Sequence, residues 1–263
     1  MKTERVRFIN SQDLWLDARL DIPEGPDVDL WAVFAHCFTC NKDFKAAAYI
    51  SRTLTEHGIG VLRFDFTGLG QSQGMFEETS FSSNVNDLIS AARYLTDMHK
   101  DPEMLVGHSL GGTAALEAAG LIPSVTAVVT IGSPAEPKHV VRHLGAAHKK
   151  IETMGEAQVS VEGRRFTFKK QFLEDLEQAP LDDRIKQFDK ALLILHAPED
   201  QTVGIENAAA IFRAARHPKS FISLSGADHL LSRKQDARYA ADLIAIWAKR
   251  YLKRSHHGND LSR

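Results

Sequence analysis

Residues 107–112, which read GHSLGG, constrain the fold of this 263-residue chain more than any other segment. They place Ser109 among glycines, directly after the apolar run 104–106 and directly before the strongly helix-forming run 113–119. A strand that turns sharply into a helix over this pattern is the G-x-S-x-G nucleophile elbow, in which the serine adopts a strained backbone conformation and its hydroxyl projects from the sheet edge. An ordinary glycine-rich turn can have the same sequence. The hypothesis that Ser109 is a nucleophile therefore requires a base and an acid elsewhere in the chain.

The glycines of this segment are expected for steric reasons. Without a Cβ at Gly107 and Gly111, the strand and the helix can pass close to each other. The same turn leaves Ser109 at a helix N-terminus, where free backbone N–H groups and the positive end of the helix dipole favour a developing oxyanion. The segment therefore predicts a nucleophile together with part of the site that would stabilise its reaction.

Length and composition exclude several classes of protein. The chain fits one large α/β domain or two small ones, and a domain of this size buries on the order of 75% of its unfolded surface. A net charge of -2, with 25% charged residues, provides no broad basic field, which disfavours nucleic acid or an anionic membrane as a partner. No apolar run approaches the roughly 20 residues of a membrane span, and residues 1–23 lack the apolar core of a signal peptide. We therefore expect a cytoplasmic protein that acts on a small molecule without a cofactor or metal, and formation of a homo-oligomer stays open.

Strand-like and helix-like segments alternate along most of the chain. Two alternating runs within residues 4–22 suit an antiparallel hairpin at a sheet edge. Apolar runs predict buried strands at residues 31–35, 59–66, 104–106, 125–131, 191–195 and 220–224. Helices are predicted between them at residues 44–56, 83–99, 113–119, 205–216 and 235–252. This alternation predicts an α/β fold with a mainly parallel, doubly wound sheet and an N-terminal antiparallel hairpin.

Residues 133–187 interrupt the alternation, and we call this segment the cap. It contains a predicted hairpin at residues 158–168. An insertion at this point would lie above the strand ends that carry Ser109, so a small cap over the site is predicted, with a surface excursion as the alternative. The prediction is one domain over residues 1–254, including the cap, followed by a polar tail at residues 255–263.

A serine hydroxyl is a poor nucleophile at neutral pH, so it needs a base within hydrogen-bond reach and a carboxylate that orients the base. His229 follows the last predicted strand, where loops emerge at the same sheet edge as Ser109. Asp200 follows the strand before it, and Glu199 and Asp228 lie close enough in sequence to be alternatives for the acid. The order Ser109, Asp200, His229 is the chain order of the α/β-hydrolase triad.

With these residues the sequence resembles an α/β-hydrolase of the serine-esterase type over nearly its whole length. That resemblance implies the α/β-hydrolase fold and a Ser-Asp-His triad. The family usually has His-Gly followed by a donor residue after the third strand, and His36, Cys37 and Phe38 align with it. The resemblance therefore implies an oxyanion hole made by the backbone N–H groups of Phe38 and Leu110. The departure from the pattern is Cys37, which stands where the family has glycine.

A narrower resemblance involves four short segments: AHCFTCNKD, LRFDFTGLGQS, FSSNV and GADHLL. They are similar to segments of bacterial hydrolases that are often fused to a C-terminal OsmC-like domain, and no such second domain fits into this sequence. The run from Asp65 to Ser72 also resembles the D-x-x-G-x-G-x-S loop of the larger family, whose role there is structural.

The cysteines provide an alternative from another class. Cys37 and Cys40 are too few for a disulfide framework and fit a reducing compartment. A C-x-x-C pair after a strand and before a helix is also how thioredoxin-like motifs are placed, so a thiol redox protein stays open. That interpretation leaves the GHSLGG segment unexplained. A non-catalytic α/β module is disfavoured because all three residue types of the triad are present.

Within the hydrolases, the sequence predicts cleavage of carboxylic esters with short to medium acyl chains through an acyl-enzyme on Ser109. Thioesters, lactones and carbon–carbon bonds are cleaved by the same machinery, so a thioesterase or another acyl hydrolase stays open. Apolar residues of the cap suit an uncharged acyl chain. The predicted substrate contacts are Phe166, Phe168, Phe172 and Leu173.

Overall fold

The computed structural model describes residues 1–25, 28–98, 100–161, 163–178 and 185–252, so the predicted polar tail at residues 255–263 lies outside the described residues. The strands within these ranges are β1 (Lys2–Ile9), β2 (Trp15–Ile22), β3 (Leu30–Ala35), β4 (Ile59–Phe64), β5 (Met104–His108), β6 (Ala127–Ile131), β7 (Glu156–Val161), β8 (Arg164–Lys169), β9 (Ala191–His196) and β10 (Lys219–Ser223).

The main sheet of the described chain has eight strands in the order β1-β2-β4-β3-β5-β6-β9-β10. β1 pairs with β2, and β2 with β4, in the antiparallel sense. The other neighbouring pairs are parallel. The prediction of a mainly parallel sheet with an N-terminal antiparallel hairpin is therefore confirmed.

Helices cover both faces of this sheet. They are α1 (Lys45–Glu56), α2 (Phe81–Asp97), α3 (Leu110–Ala119), α4 (Ala147–Met154), α5 (Lys170–Gln178), α6 (Glu206–Ala214) and α7 (Lys234–Leu252). α2 begins at Phe81, two residues before the predicted start, because Ser80 and Ser83 form a capping box that satisfies its first free N–H groups. Across the described ranges, none of the helices combines the length and the apolar character needed to cross a membrane.

The apolar core is divided by the sheet into two layers. Ile50 of α1 and Ile244 of α7 pack on one face, and Leu88 of α2 and Leu116 of α3 pack on the other. The central strands are buried on both faces, which explains their continuous apolar sequences. Because parallel strands end at the same edge of a sheet, the loops after β3, β5, β9 and β10 come together there. We call this edge the catalytic edge.

The cap lies between β6 and β9. Its described part holds a 3-10 segment (Pro137–Leu144), α4, the antiparallel hairpin of β7 and β8, and α5. The predicted hairpin at residues 158–168 is therefore present, and it begins two residues earlier, at Glu156. Apolar side chains of the hairpin and α5, including Phe168 and Phe172, join the core layer that contains α2 and α3. The cap is thus packed into the domain.

Candidate active site

Ser109 lies in the sharp turn between β5 and α3. Its backbone has φ 54° and ψ -128°, a conformation that residues with a side chain rarely adopt. A Cβ built on Gly107 would lie 2.4 Å from the Gly111 carbonyl oxygen, and one built on Gly112 would lie 1.8 Å from Ser133 Oγ. Only glycine fits at these positions. The close approach of strand and helix in the strained turn therefore explains the glycines of the sequence pattern.

The structure brings Ser109, His229 and Asp200 together. His229 Nε2 lies 3.1 Å from Ser109 Oγ, and His229 Nδ1 lies 2.7 Å from Asp200 Oδ2. Both contacts are satisfied when Nδ1–H donates to the carboxylate and the serine hydroxyl donates to Nε2. In that tautomer His229 can accept the serine proton while Asp200 stabilises the resulting imidazolium.

Asp200 is fixed by more than its bond to His229. Its Oδ1 accepts hydrogen bonds from the backbone N–H groups of Thr202 at 2.8 Å and Val203 at 2.9 Å. Burial favours the protonated acid, but the hydrogen bonds from His229 and the Val203 N–H outweigh it and lower the pKa of Asp200. The carboxylate therefore stays ionised and faces the ring of the base.

The other two carboxylates considered for the acid have different partners. Glu199 accepts a hydrogen bond from the Gly226 N–H at 3.2 Å. Asp228 accepts one from the Ser232 N–H at 2.8 Å, which shapes the loop that carries His229. The geometry therefore gives the orienting position to Asp200.

The two backbone groups expected in the oxyanion hole lie beside Ser109. Leu110 is the first residue of α3, and Phe38 lines the same cavity as Ser109. A Cβ on Gly111 would lie 2.4 Å from the His36 carbonyl oxygen, so the chain that carries Phe38 passes directly over the first turn of α3. Neither the Phe38 N–H nor the Leu110 N–H donates to an acceptor in the described part of the chain. Both are free to bind an oxyanion.

Cys37 and Cys40 form a disulfide, with their Cα atoms 5.3 Å apart. The sequence predicts reduced cysteines, whereas the structure pairs them in a local crosslink that closes over Phe38 and Thr39. We call residues 36–41 the oxyanion loop. Thr39 within it has φ 62° and is fully buried. A β-branched residue rarely adopts this left-handed conformation, so the loop is strained at this point.

Three buried histidines support the catalytic edge: His36, whose segment the sequence aligns with the oxyanion hole, and His108 and His196, for which the sequence predicts no role. His36 Nδ1–H donates to the Cys37 carbonyl at 2.8 Å within the oxyanion loop. His108 Nε2–H donates to the carbonyl of His229 at 2.7 Å, and His196 Nε2–H donates to the Val203 carbonyl at 2.7 Å beside Asp200. Each lies at the end of a parallel strand or directly after it. This shared position in the sequence is the feature that could have pointed to a role at the catalytic edge.

These three histidines are held in the neutral form. Burial is the largest cause in each case, because an imidazolium loses its hydration in the protein interior. It lowers the pKa of His36 to about 4 and the pKa of His108 to about 3, and it lowers the pKa of His196 in the same direction. Near neutral pH each ring therefore acts as a hydrogen-bond donor without adding positive charge next to the base.

Lys42 anchors the far end of the oxyanion loop. The side chain is 1% exposed, and its Nζ lies 2.6 Å from Asp65 Oδ2 and 2.9 Å from Asp17 Oδ1. The Lys42 backbone N–H also donates to Asp65 at 2.6 Å. Asp17 belongs to β2 and accepts further hydrogen bonds from Arg5 and Arg7 of β1. The N-terminal hairpin is thereby connected to the oxyanion loop through buried ion pairs.

The Asp65 segment surrounds this anchor. A Cβ on Gly70, which has φ 55°, would lie 2.1 Å from Asp65 Oδ2, so no larger residue fits there. Ser72 Oγ donates to the Asp65 carbonyl at 2.6 Å. The D-x-x-G-x-G-x-S run folds around a carboxylate that binds Lys42.

A cavity of about 430 Å³ opens beside Ser109. Its walls come from the oxyanion loop, the triad loops and the cap, which contributes Val140, Ser160 and Val161. Pro134 and Leu230 add apolar surface on the remaining sides. The cap hairpin forms one side of this cavity.

The four predicted substrate contacts lie elsewhere. The rings of Phe168 and Phe172 pack against the ring of Phe38, at centroid distances of 5.7 Å and 5.8 Å. Phe166 packs on Phe76 at 4.7 Å. Leu173 lines a separate surface cavity. Phe168 and Phe172 therefore support the oxyanion loop through Phe38, and direct contact of the four residues with a substrate stays a prediction.

Comparison with known proteins identifies the class. Residues 32–250 match the alpha/beta hydrolase family, and the chain belongs to that family. The esterase domain of a Rhodothermus marinus protein is 48% identical, with a TM-score of 0.79, and the match covers 95% of this chain and 99% of that domain. The predicted α/β-hydrolase fold and the resemblance to its esterases are therefore confirmed. The narrower resemblance to hydrolases fused to an OsmC-like domain stays a prediction.

Two further relatives differ in what they show. The mitochondrial palmitoyl-protein thioesterase ABHD10 of Rattus norvegicus is 34% identical over 102 residues, which span 38% of this chain and only 33% of that protein's length. Est1E from Butyrivibrio proteoclasticus, solved with ferulic acid bound, has a TM-score of 0.83 at 20% identity, and the match covers 95% of this chain and 100% of that chain. At that identity the likeness to Est1E shows the fold alone.

Proposed function

We propose that the protein is a serine hydrolase that cleaves carboxylic esters through an acyl-enzyme on Ser109. The observation that carries this proposal is the continuous set of contacts from Ser109 Oγ through His229 to Asp200, at 3.1 Å and 2.7 Å. Hydrolases use this arrangement to make a serine hydroxyl nucleophilic at neutral pH.

The residues suggest the order of events. Ser109 Oγ attacks the ester carbonyl while its proton passes to His229 Nε2. The carbonyl oxygen becomes an oxyanion, which the N–H groups of Phe38 and Leu110 stabilise. His229 then returns the proton to the leaving alcohol. Water releases the acid from Ser109 in a second round of the same proton transfers.

The size and the lining of the cavity favour an ester with a short to medium acyl chain. Its volume of about 430 Å³ and its apolar residues, such as Val140 and Val161, suit an uncharged group of limited length. We propose that these wall residues contact the acyl chain. Phe168 and Phe172 would then act indirectly, through Phe38.

Thioesters are the second candidate substrate. The partial match to a palmitoyl-protein thioesterase favours them, and the triad chemistry is the same for both bonds. The cytoplasm remains our proposed location.

A panel of p-nitrophenyl esters with graded acyl chains tests the function, with thioesters of the same acids assayed alongside. We expect turnover of the shorter esters and its loss in Ser109→Ala. Ester turnover that persists in purified Ser109→Ala protein would exclude Ser109 as the nucleophile. A preference for the thioesters by kcat/KM would favour the second candidate.

The redox alternative requires a separate assay. Thiol-dependent reduction of a peroxide or disulfide, lost in Cys37→Ser/Cys40→Ser and without ester turnover by the wild type, would refute the hydrolase. The hydrolase predicts that this double variant keeps ester turnover within roughly tenfold, because the oxyanion donors are backbone groups.

A further inference from the structure

The disulfide encloses the residue that donates one of the two N–H groups of the oxyanion hole. Phe38 lies directly after Cys37, and the ring closed by the S–S bond contains only Phe38 and Thr39 between the two cysteines. Within this ring the Cys40 N–H donates to the Cys37 carbonyl at 3.1 Å. Any change in the crosslink therefore acts on the peptide that presents the Phe38 N–H.

The enclosed chain does not adopt an intrinsically favourable conformation. Thr39 has φ 62°, although it is β-branched, and its buried Oγ1 has no hydrogen-bond partner in the described part of the chain. No side-chain hydrogen bond of Thr39 compensates for the strain. Something outside this residue must hold the conformation.

The two flanks of the ring are held independently of the disulfide. His36 Nδ1–H donates to the Cys37 carbonyl at the start of the ring, in the same peptide unit as the Phe38 N–H, and the Lys42 N–H is bound to Asp65 beyond the end of the ring. Arg164 of the cap donates to the Thr39 carbonyl. With the disulfide broken, these contacts keep the loop in place overall and limit how far the Cys37–Phe38 peptide can turn, while Phe38 and Thr39 gain freedom to relieve the strain.

We propose that the Cys37–Cys40 disulfide is a positioning crosslink that holds the Phe38 N–H in the oxyanion hole, so that its reduction lowers turnover. This inference rests on the proposed ester hydrolysis. A small dithiol would supply the two electrons and two protons: its sulfurs exchange with the S–S bond through a mixed disulfide, Cys37 and Cys40 become thiols, and the reductant becomes a cyclic disulfide.

One end of the crosslink borders the cavity beside Ser109. Cys37 lines this cavity, although only 3% of the residue is exposed. We therefore expect a small dithiol to enter by the same opening as a substrate. The proposal therefore links the hydrolase activity to the thiol-disulfide state of its surroundings.

Steady-state kinetics on oxidised and reduced protein test the proposal. Wild type is treated with dithiothreitol until titration in denaturant finds both of its cysteines free, and ester turnover is measured before, after and following reoxidation. Complete loss of one oxyanion donor costs about 100-fold or more in kcat. Because the flanks stay bound, we expect a reversible loss of kcat of roughly three- to tenfold, with KM changed less than twofold.

The variant Cys37→Ser/Cys40→Ser is the matched control. The chain has only these two cysteines, so dithiothreitol should not affect the variant, whose kcat should equal that of reduced wild type. Equal kcat in oxidised protein, reduced protein and the variant would overturn the proposal while leaving the hydrolase intact. Absence of ester turnover in every form would refute the proposed function and the positioning role with it.

Discussion

At the catalytic edge, each side chain of the proposed triad lies close to the end of a parallel strand and is fixed by hydrogen bonds. The cap also makes hydrogen bonds, such as those from Ser82 to Asp175, but its aromatic residues pack in an apolar layer. Asp200 accepts three hydrogen bonds, and His229 forms hydrogen bonds at both ring nitrogens and at its carbonyl. Phe168 and Phe172 instead meet Phe38 ring against ring. Hydrogen bonds define direction and apolar contacts define volume, so the edge should control rate and the cap should control which acyl group fits.

Removal of the nucleophile should produce the largest effect. Ser109→Ala and His229→Ala should each lower kcat/KM by about 10³-fold or more, because the attacking oxygen or its base is lost. Circular dichroism and thermal unfolding should show an intact fold, since little packing changes. Substantial activity in either variant would show that the edge does not set the rate.

Substitution of Asp200 tests more specifically whether hydrogen bonds at the catalytic edge set the rate. Asp200→Asn should lower kcat by about 10²- to 10⁴-fold, because an amide favours the wrong tautomer of His229. Asp228→Asn is the matched control, since its carboxylate binds the Ser232 N–H and not the His229 ring, and the amide oxygen can accept the same hydrogen bond, so kcat should stay within about twofold. The reverse pattern in the two variants would make Asp228 the acid.

The supporting histidine should show an intermediate effect. His108→Phe removes the donor to the His229 carbonyl while it keeps a ring in the same space, and an unsatisfied buried acceptor costs about 1–3 kcal/mol. We expect roughly a tenfold loss in kcat with little change in KM. His148→Phe, in the cap beside Glu152, should leave kcat unchanged. Similar losses in both variants would remove the distinction between edge and cap.

Low pH should reduce the stability of the fold, because His36 and His108 at the catalytic edge are buried in the neutral form. The pKa of His36 is lowered to about 4 and that of His108 to about 3, against 6.5 for an exposed histidine. Below pH 6.5 the unfolded chain binds protons that the folded chain does not, so this contribution to the free energy of unfolding is complete above pH 6.5 and falls as the pH drops towards 3. The slope is about 1.4 kcal/mol per pH unit for each histidine.

Urea unfolding between pH 7 and pH 4 measures this slope. His108→Phe should flatten it, because one of the neutral buried rings is gone. An unchanged slope in that variant would show that His108 does not contribute to the acid sensitivity.

The smallest effects on rate are expected in the cap. Val161→Ala enlarges the cavity and should shift the preference for acyl length by less than about tenfold in kcat/KM. Phe168→Leu should leave this preference unchanged and lower the Tm by a few degrees, since its ring is buried behind Phe38. A change of acyl preference in Phe168→Leu, measured with the same esters, would support direct contact of this residue with the substrate.

The sequence predicts the catalytic edge better than the cap. The positions of Ser109, Asp200 and His229 could be inferred because strand order brings strand ends to one edge, and because glycine is sterically required around the elbow. The sequence does not decide whether the cap residues contact a substrate, because an apolar residue in an insertion suits a cavity wall and a packed layer equally well. The disulfide was missed for a related reason: C-x-x-C spacing alone does not specify whether the sulfurs are joined.

Lys42 adds a consequence for the order in which the protein assembles. Its buried ammonium group needs Asp17 from the N-terminal hairpin and Asp65 from beyond β4, and a buried charge without its partners is strongly unfavourable. The loop that carries Phe38 can therefore reach its final form only after the hairpin has docked on the sheet. During refolding, the first appearance of ester turnover would therefore report when the hairpin at the sheet edge has docked.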